Sequence, residues 1–410
     1  MSSSFSNGAL GVGFVLFFQM MVVAATQGLP VLAPFAASTF GLGAEYVGYF
    51  TAVVFISALI SSNGTSGLLA RWGSFNGAAA ALAMAGLGTA IVALSMSAWG
   101  LVLGALVLGI AYGPVNPAGS RLLMRVSAGH RQNLIFSIKQ TSVAIGGAVA
   151  GAVLPAVAIA FGWRAALLVM ALGCLLVAAM SIPTRVRLGN DANALASMRF
   201  KGPFRPAMLM LADPLLRSLS ISVLSFSMAQ FGLMSIYVTL LWSRMGLGPE
   251  VAAAMLVLLM AASVPGRLYW GWRADTGNPM AILSGLAASG VVVLAILLFM
   301  TPGWPIFGIA LLSAALGLGP LSWSGVLLAK IAQAGMARGG AEGILSTTAG
   351  TMVFAYFGGV IGPAMLSLSA SLLGGYGAGL AIIAAALGWS SIVLSLNARP
   401  HMEPHEGRRP

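Results

Sequence analysis

The sequence is poor in charge: of 410 residues only 7% are charged, 20 basic and 8 acidic, where a soluble domain carries about 25%. A soluble chain of this length would divide into roughly two or three domains, and so few charges cannot give them polar surfaces. There is one cysteine, Cys174, inside an apolar run, which excludes an intrachain disulfide. The three histidines, His130, His401 and His405, fall in polar connections and the tail, so no metal site is expected. No Ser-His-Asp set is placed in an apolar core, so the chain does not read as an enzyme. No Gly-Lys-Ser/Thr phosphate loop is present, so no nucleotide cofactor or direct ATP drive is expected. A net charge of +12 could suit nucleic acid, but no Lys/Arg cluster is interleaved with aromatics, and that partner is set aside.

What is present is apolar length. The chain is 59% hydrophobic with a mean hydropathy of +0.97. Its 53 glycines and 19 prolines suit membrane helices, where both are tolerated and Gly permits close backbone approach. A bilayer core asks for about 20 apolar residues per helix. Such runs fall near 10–37, 45–70, 76–96, 98–121, 134–160 and 163–183, and after a polar stretch near 217–243, 250–272, 279–300, 304–331, 341–371 and 376–396. The first lacks a basic n-region and is too long for a signal peptide, so it reads as a helix. The fold class expected is an all-α membrane protein of twelve transmembrane helices.

The basic residues set the expected orientation. Lys139 and Arg267 lie within hydrophobic runs, Arg164 and Arg244 on one side, and all the others on the opposite side. The positive-inside rule makes that side cytoplasmic, with both termini. The stretch 184–216, with Arg185, Arg187, Arg199, Lys201 and Arg205, reads as a cytoplasmic linker, part of it a basic amphipathic segment on the membrane. The chain then divides into an N-terminal six-helix bundle, 1–183, the linker, a C-terminal six-helix bundle, 217–397, and a disordered tail, 398–410.

An internal repeat supports that division. Gly41-Leu42-Gly43-Ala44-Glu45 recurs as Gly246-Leu247-Gly248-Pro249-Glu250, Gly113-Pro114 as Gly319-Pro320, and Ala128-Gly129 as Ala334-Gly335. Gly147 and Gly151, at small-xxx-small spacing, have a counterpart in Gly358 and Gly362. Parallel repeats of this kind suit two halves rocking about a site near the midplane.

At these residues the chain resembles the major facilitator superfamily across essentially its whole length. That family carries a loop close to Gly-x-x-x-Asp-Arg-x-Gly-Arg-Arg between helices 2 and 3. Here Ser66-Gly67-Leu68-Leu69-Ala70-Arg71-Trp72-Gly73 keeps Arg71 and Gly73 but has Ala70 in place of the Asp, and Ser74 and Phe75 replace the two Arg. The second copy, Gly271-Trp272-Arg273-Ala274-Asp275-Thr276-Gly277, keeps Gly271 and Asp275 and is one residue shorter. Ser137-Ile138-Lys139-Gln140-Thr141, followed by Gly146-Gly147, Pro155 and Phe161-Gly162-Trp163-Arg164, resembles bacterial organic-anion or nitrate-type permeases. The resemblance implies a monomer in the bacterial inner membrane, a small-molecule substrate, and a cavity lined by helices 1, 4, 5, 7, 8, 10 and 11.

All eight acidic residues fall in loops, at helix ends or in the tail. Glu45 and Glu250 begin helices, where a carboxylate favours the dipole; proton coupling is the other reading. Cations behave otherwise. Lys139 lies about five residues into its run, roughly 7–8 Å deep at the helical rise, and Arg267 lies eight residues before Asp275. An intramembrane cation is expensive and faces a cavity; a substrate anion could balance it, and Arg offers a bidentate fork. Against this, Lys139 could snorkel to the headgroups, Arg267 could bond helix carbonyls or brace the Asp275 loop, and Arg121 reads as an anchor or gate. The same repeat sets Asn63 near the counterpart of Arg267 and Leu345 opposite Lys139, so the cationic pair is not duplicated.

The polar side chains expected to complete the pocket are Gln27 in helix 1, Tyr112 and Asn116 in helix 4, Gln140 in helix 5, Gln230 and Tyr237 in helix 7, Trp323 in helix 10 and Tyr356 in helix 11. Gln19, Thr26 and Thr141 are further candidates. Three functions fit: a secondary transporter of a small organic anion, with proton or counter-anion coupling open; an exporter of amphipathic drugs, which the 22 Met would suit; and a non-transporting receptor or scaffold.

Overall fold

The computed structural model describes residues 2–116, 118–119, 132–181 and 204–398. Arg121, His130, most of the basic linker, 184–203, and the tail from 399 lie outside the described residues, and so do both termini.

Among the described residues the secondary structure is helical, with no strand. The helices are α1 Ser2–Phe40, α2 Val47–Trp72, α3 Ser74–Leu94, α4 Ala98–Tyr112, α5 Gln132–Phe161, α6 Trp163–Ser181, α7 Phe204–Ala212, α8 Pro214–Met245, α9 Pro249–Thr276, α10 Pro279–Phe299, α11 Ile306–Leu318, α12 Ser324–Leu373 and α13 Gly377–Ala398. Among the described residues eleven segments are long and apolar enough to cross a membrane, and Ala98–Tyr112 is a shorter apolar helix. The chain is a multi-pass membrane protein.

Local chemistry fixes where these helices start and stop. Asp213 caps α8, its carboxylate accepting from Leu216 N at 2.9 Å, with Pro214 at the first helical position; Pro loses nothing there because that N–H has no helical partner. Asn278 caps α10 in the same way, ahead of Pro279. The repeat shows in the caps as well: Gly41 after α1 and Gly246 after α8 both adopt positive φ, 62° and 67°, a conformation that costs Gly nothing.

Two expected helices are interrupted. The run 98–121 breaks after Tyr112 at Gly113-Pro114, and the run 304–331 breaks after Leu318 at Gly319-Pro320. Proline removes a backbone donor and clashes with the preceding turn, so each Gly-Pro pair ends a helix at the same point of the repeat. Inside α12 the backbone leaves helical geometry at Gly339 (φ −164°, ψ 26°) and Gly340 (φ 56°, ψ −138°), and Thr347 Oγ1 donates back to the carbonyl of Ile331. So α12 is two helices that meet at Gly339-Gly340, in keeping with the expected separation of 304–331 from 341–371. Part of the expected linker is ordered: α7 packs Met210 beside Gly350 and Thr351 of α12, leaving Phe204, Met208 and Leu209 exposed.

Glycine sets how closely the helices approach. A Cβ on Gly109 would strike the main chain of α2 at Val54, and one on Gly317 would strike the main chain of α9 at Leu259. Gly147 and Gly151 lie against Met260 and Val257 of α9, whereas Gly358 and Gly362 lie against the main chain of α8 at Leu224 and Met228. The residue on α5 that meets a helix main chain in the corresponding way is Gly146, against Met20 of α1.

Candidate functional site

Helices from both parts of the chain meet around a small central cavity. It is lined by Val23, Thr26 and Gln27 of α1, Thr51, Val54 and Phe55 of α2, Tyr112 of α4, and Phe231 and Met234 of α8. The free space is about 10 Å³, room for roughly one water. On one side of it Thr51 and Ser235 share a hydrogen bond of 2.7 Å, and Ser367 of α12 donates to the carbonyl of Glu45. On the other side Gly325 of α12 lies against Ser137 of α5.

Four aromatic rings converge beside the cavity. Phe55 packs against Phe231 at 4.3 Å, Tyr112 at 5.3 Å and Tyr356 at 6.2 Å between centroids, and Tyr112 meets Tyr356 edge-on at 6.3 Å. Offset and edge-on contacts of this kind are favourable. Tyr356 also donates to the carbonyl of Gly113 at 3.4 Å, using an acceptor that the break in α4 leaves outside helical pairing.

The two intramembrane cations lie at one end of this cluster. Lys139 of α5 is buried and donates through Nζ to the main-chain oxygen of Asn116 at 3.1 Å and to its Oδ1 at 3.4 Å. The hydroxyl of Tyr356 also bonds to Asn116. Lys139 therefore points inward to the broken end of α4 and does not snorkel. Arg267 of α9 is only 1% exposed. Its Nη1 donates to the carbonyl of Gln140 at 2.7 Å and to Ser324 Oγ at 3.1 Å, and its Nη2 donates to the carbonyl of Leu321 at 3.1 Å. Nε has no partner. Among the described residues no carboxylate pairs with Arg267, and Tyr112 lies within its electrostatic reach.

Lys139, Asn116, Gln140, Arg267, Tyr112 and Tyr356 are thus brought together, with Gln140 accepting from Gln19 at 3.3 Å. Gln27 lines the cavity itself; it is buried and its Oε1 has no partner. Others are tied up elsewhere. Gln230 accepts from the indole of Trp323 at 2.9 Å, and Tyr237 bonds Ser313 at 2.7 Å; all three stabilise packing among α8, α11 and α12 and do not line the cavity.

The loop residues sit at one end of the bundle. Arg71 is exposed in the last turn of α2, and Gly73, at φ 87°, joins it to α3. Gly271 is buried and Asp275 half-buried near the end of α9. Among the described residues no group of three or more His, Cys, Asp or Glu side chains could hold a metal.

Sequence reasoning missed Thr51, Phe55, Phe231, Met234 and Ser324. Four of these are apolar or small residues inside apolar runs, where nothing in composition separates a cavity wall from a lipid-facing position. Ser324 carried one usable signal, its place directly after the helix break at Gly319-Pro320.

No curated protein matches the chain. A polar, cation-bearing centre walled by helices from both parts of a multi-pass bundle is where a membrane transporter holds a small-molecule substrate. The profile of the Major Facilitator Superfamily matches residues 12–363, and by that match the chain belongs to this family of membrane transporters.

Proposed function

We propose that the protein is a secondary transporter that moves a small organic anion, a carboxylate, by alternating access. In this reading two six-helix bundles, 1–183 and 217–397, of a twelve-helix fold rock about the central cavity, in a bacterial inner membrane with both termini cytoplasmic. The observation that carries the anion is Arg267. A guanidinium so deeply buried is costly unless paired, and here it is met only by carbonyls, a hydroxyl and a neighbouring phenol. Its Nε–Nη2 edge, the one that grips a carboxylate bidentately, holds a single 3.1 Å bond with Nε–H open. A carboxylate arriving at that edge would satisfy the charge and the open donor together.

The test is equilibrium binding to the purified protein of carboxylates and lipophilic cations side by side. Saturable binding of a carboxylate, lost in the double variant Arg267→Met, Lys139→Met, is the expected result. Anion binding that survives the double variant rejects this site, and preference for lipophilic cations selects a drug exporter.

A further inference from the structure

Resting on the anion reading, we infer that the preferred substrate is an aromatic carboxylate carrying a hydrogen-bond donor at the end of the ring remote from the carboxylate. Three observations converge. The first is the cationic end, where Arg267 holds an open N–H and Tyr112 bridges from its electrostatic reach to the cavity wall.

The second is the wall. Besides Thr26, Gln27 and Thr51 it consists of Val23, Val54, Phe55, Tyr112, Phe231 and Met234, and Tyr356 backs the same rings. With about 10 Å³ of free space, any substrate must part these rings. A flat apolar body replaces the ring–ring contacts it breaks with ring–ligand contacts of the same kind. A small hydrated anion such as acetate or nitrate would part them and return nothing.

The third is Gln27. Its amide oxygen is buried in the cavity wall without a partner, and a buried acceptor left unpaired is costly. Gln27 lies two turns along α1 from Gln19, which bonds Gln140 next to Lys139, so the cationic end and this acceptor are at opposite ends of the cluster. A hydroxyl across the ring from the carboxylate would donate to it.

The experiment is calorimetric titration of the purified full-length protein with sodium acetate, sodium nitrate, benzoate, 4-methoxybenzoate and 4-hydroxybenzoate. Benzoate should bind at least about tenfold more tightly than acetate or nitrate, the value of burying one aromatic ring. 4-Hydroxybenzoate should gain about a further fivefold over 4-methoxybenzoate, the value of one added hydrogen bond, and Gln27→Leu should erase that second factor. Acetate or nitrate binding as tightly as benzoate overturns the inference and leaves anion transport standing. Equal binding of the hydroxy and methoxy compounds overturns the role of Gln27. Binding of none of the five overturns both the inference and the anion reading beneath it. The wild-type series decides the matter even where the Gln27 variant does not fold.

Discussion

Arg267 Nη1 donates to the main-chain oxygen of Gln140 at 2.7 Å, joining α9 to α5 one residue beyond Lys139. The same guanidinium reaches Leu321, within the break between α11 and α12, and Ser324, where α12 begins. One side chain therefore ties together three segments that must move relative to one another if the cavity is to open. Substrate that draws the guanidinium to itself would release these bonds.

The first prediction concerns that fork. Arg267→Lys keeps the charge but offers a compact ammonium in place of a planar fork. Carboxylate affinity is expected to fall about 10- to 100-fold, the worth of a charged hydrogen bond, with a larger loss in Arg267→Met. Titration calorimetry checks both; affinity in Arg267→Lys equal to that of the native protein would show that bidentate geometry is not used.

Lys139 gives a second, separable prediction. It is held by both oxygens of Asn116, so Asn116→Leu removes one of its acceptors without touching Arg267. Carboxylate binding in Asn116→Leu should weaken by less than in Lys139→Met, since the main-chain acceptor at residue 116 remains. Equal losses in the two variants would mean that the Asn116 amide contacts the ligand itself.

The sequence announced some of this site and hid the rest. Lys139 and Arg267 stood out because charge inside an apolar run is conspicuous, and they do lie in one cluster with Asn116 and Gln140. Gln230, Tyr237 and Trp323 stood out as polar groups inside apolar runs, yet Gln230 and Trp323 bond each other and Tyr237 bonds Ser313. Polarity in a membrane helix shows that a partner is needed and does not show whether that partner is protein or ligand. Phe55 and Phe231 gave no contrast at all. The repeat was legible through Gly41 and Gly246, whose positive φ at equivalent caps explains why Gly recurs. Its later part drifted: Gly146 and Gly358 each abut a helix main chain, and Gly162 and Gly374 each adopt positive φ. That register sets Thr351, rather than Leu345, opposite Lys139. Helix breaks at Gly113-Pro114 and Gly319-Pro320 could be read from the residues but not from hydropathy, which runs on through both.

A third prediction uses the glycine contacts on either side of the cavity. A Cβ on Gly48 of α2 would collide with the main chain of α12 at Pro363 and with Ser367, and a Cβ on Gly325 would collide with Ser137 of α5. Gly48→Ala should push the bundle open at the end near Glu45, and Gly325→Ala at the end near Arg71. Cys174 is buried, so spin labels can be placed on introduced cysteines without removing it. Labels at exposed Tyr46 and Leu372, and at exposed Trp72 and Met336, report the two ends. Each variant should shift only its own pair to longer distances; movement of both pairs in either variant would show general loosening instead.

The last prediction concerns Asp213, which does two jobs where α8 begins. Its carboxylate caps the helix through Leu216 N, and it is paired with Arg338 at 2.7 Å. The bond from Leu216 leads the effects that hold the carboxyl below its usual pKa, with Arg338 adding to it. A lowered folded-state pKa means that the folded state binds the proton less readily than the unfolded chain. This contribution to stability is therefore fully present above the unfolded value, about 3.9, and is lost as pH falls through the folded value. Asp213→Asn keeps a good cap and loses only an exposed ion pair, which is worth about 0–1 kcal/mol. Asp213→Ala loses the cap too, about 1 kcal/mol more. Thermal unfolding of the purified protein should rank native, Asn and Ala in that order at pH 7. As pH falls below about 3.9 and on through the lowered folded value, the margin between the native and Asn proteins should shrink, because protonation removes the ion pair that distinguishes them. An Asn variant that stays less stable than native at low pH by the same margin as at pH 7 would show that the carboxylate's charge contributes nothing at this helix start.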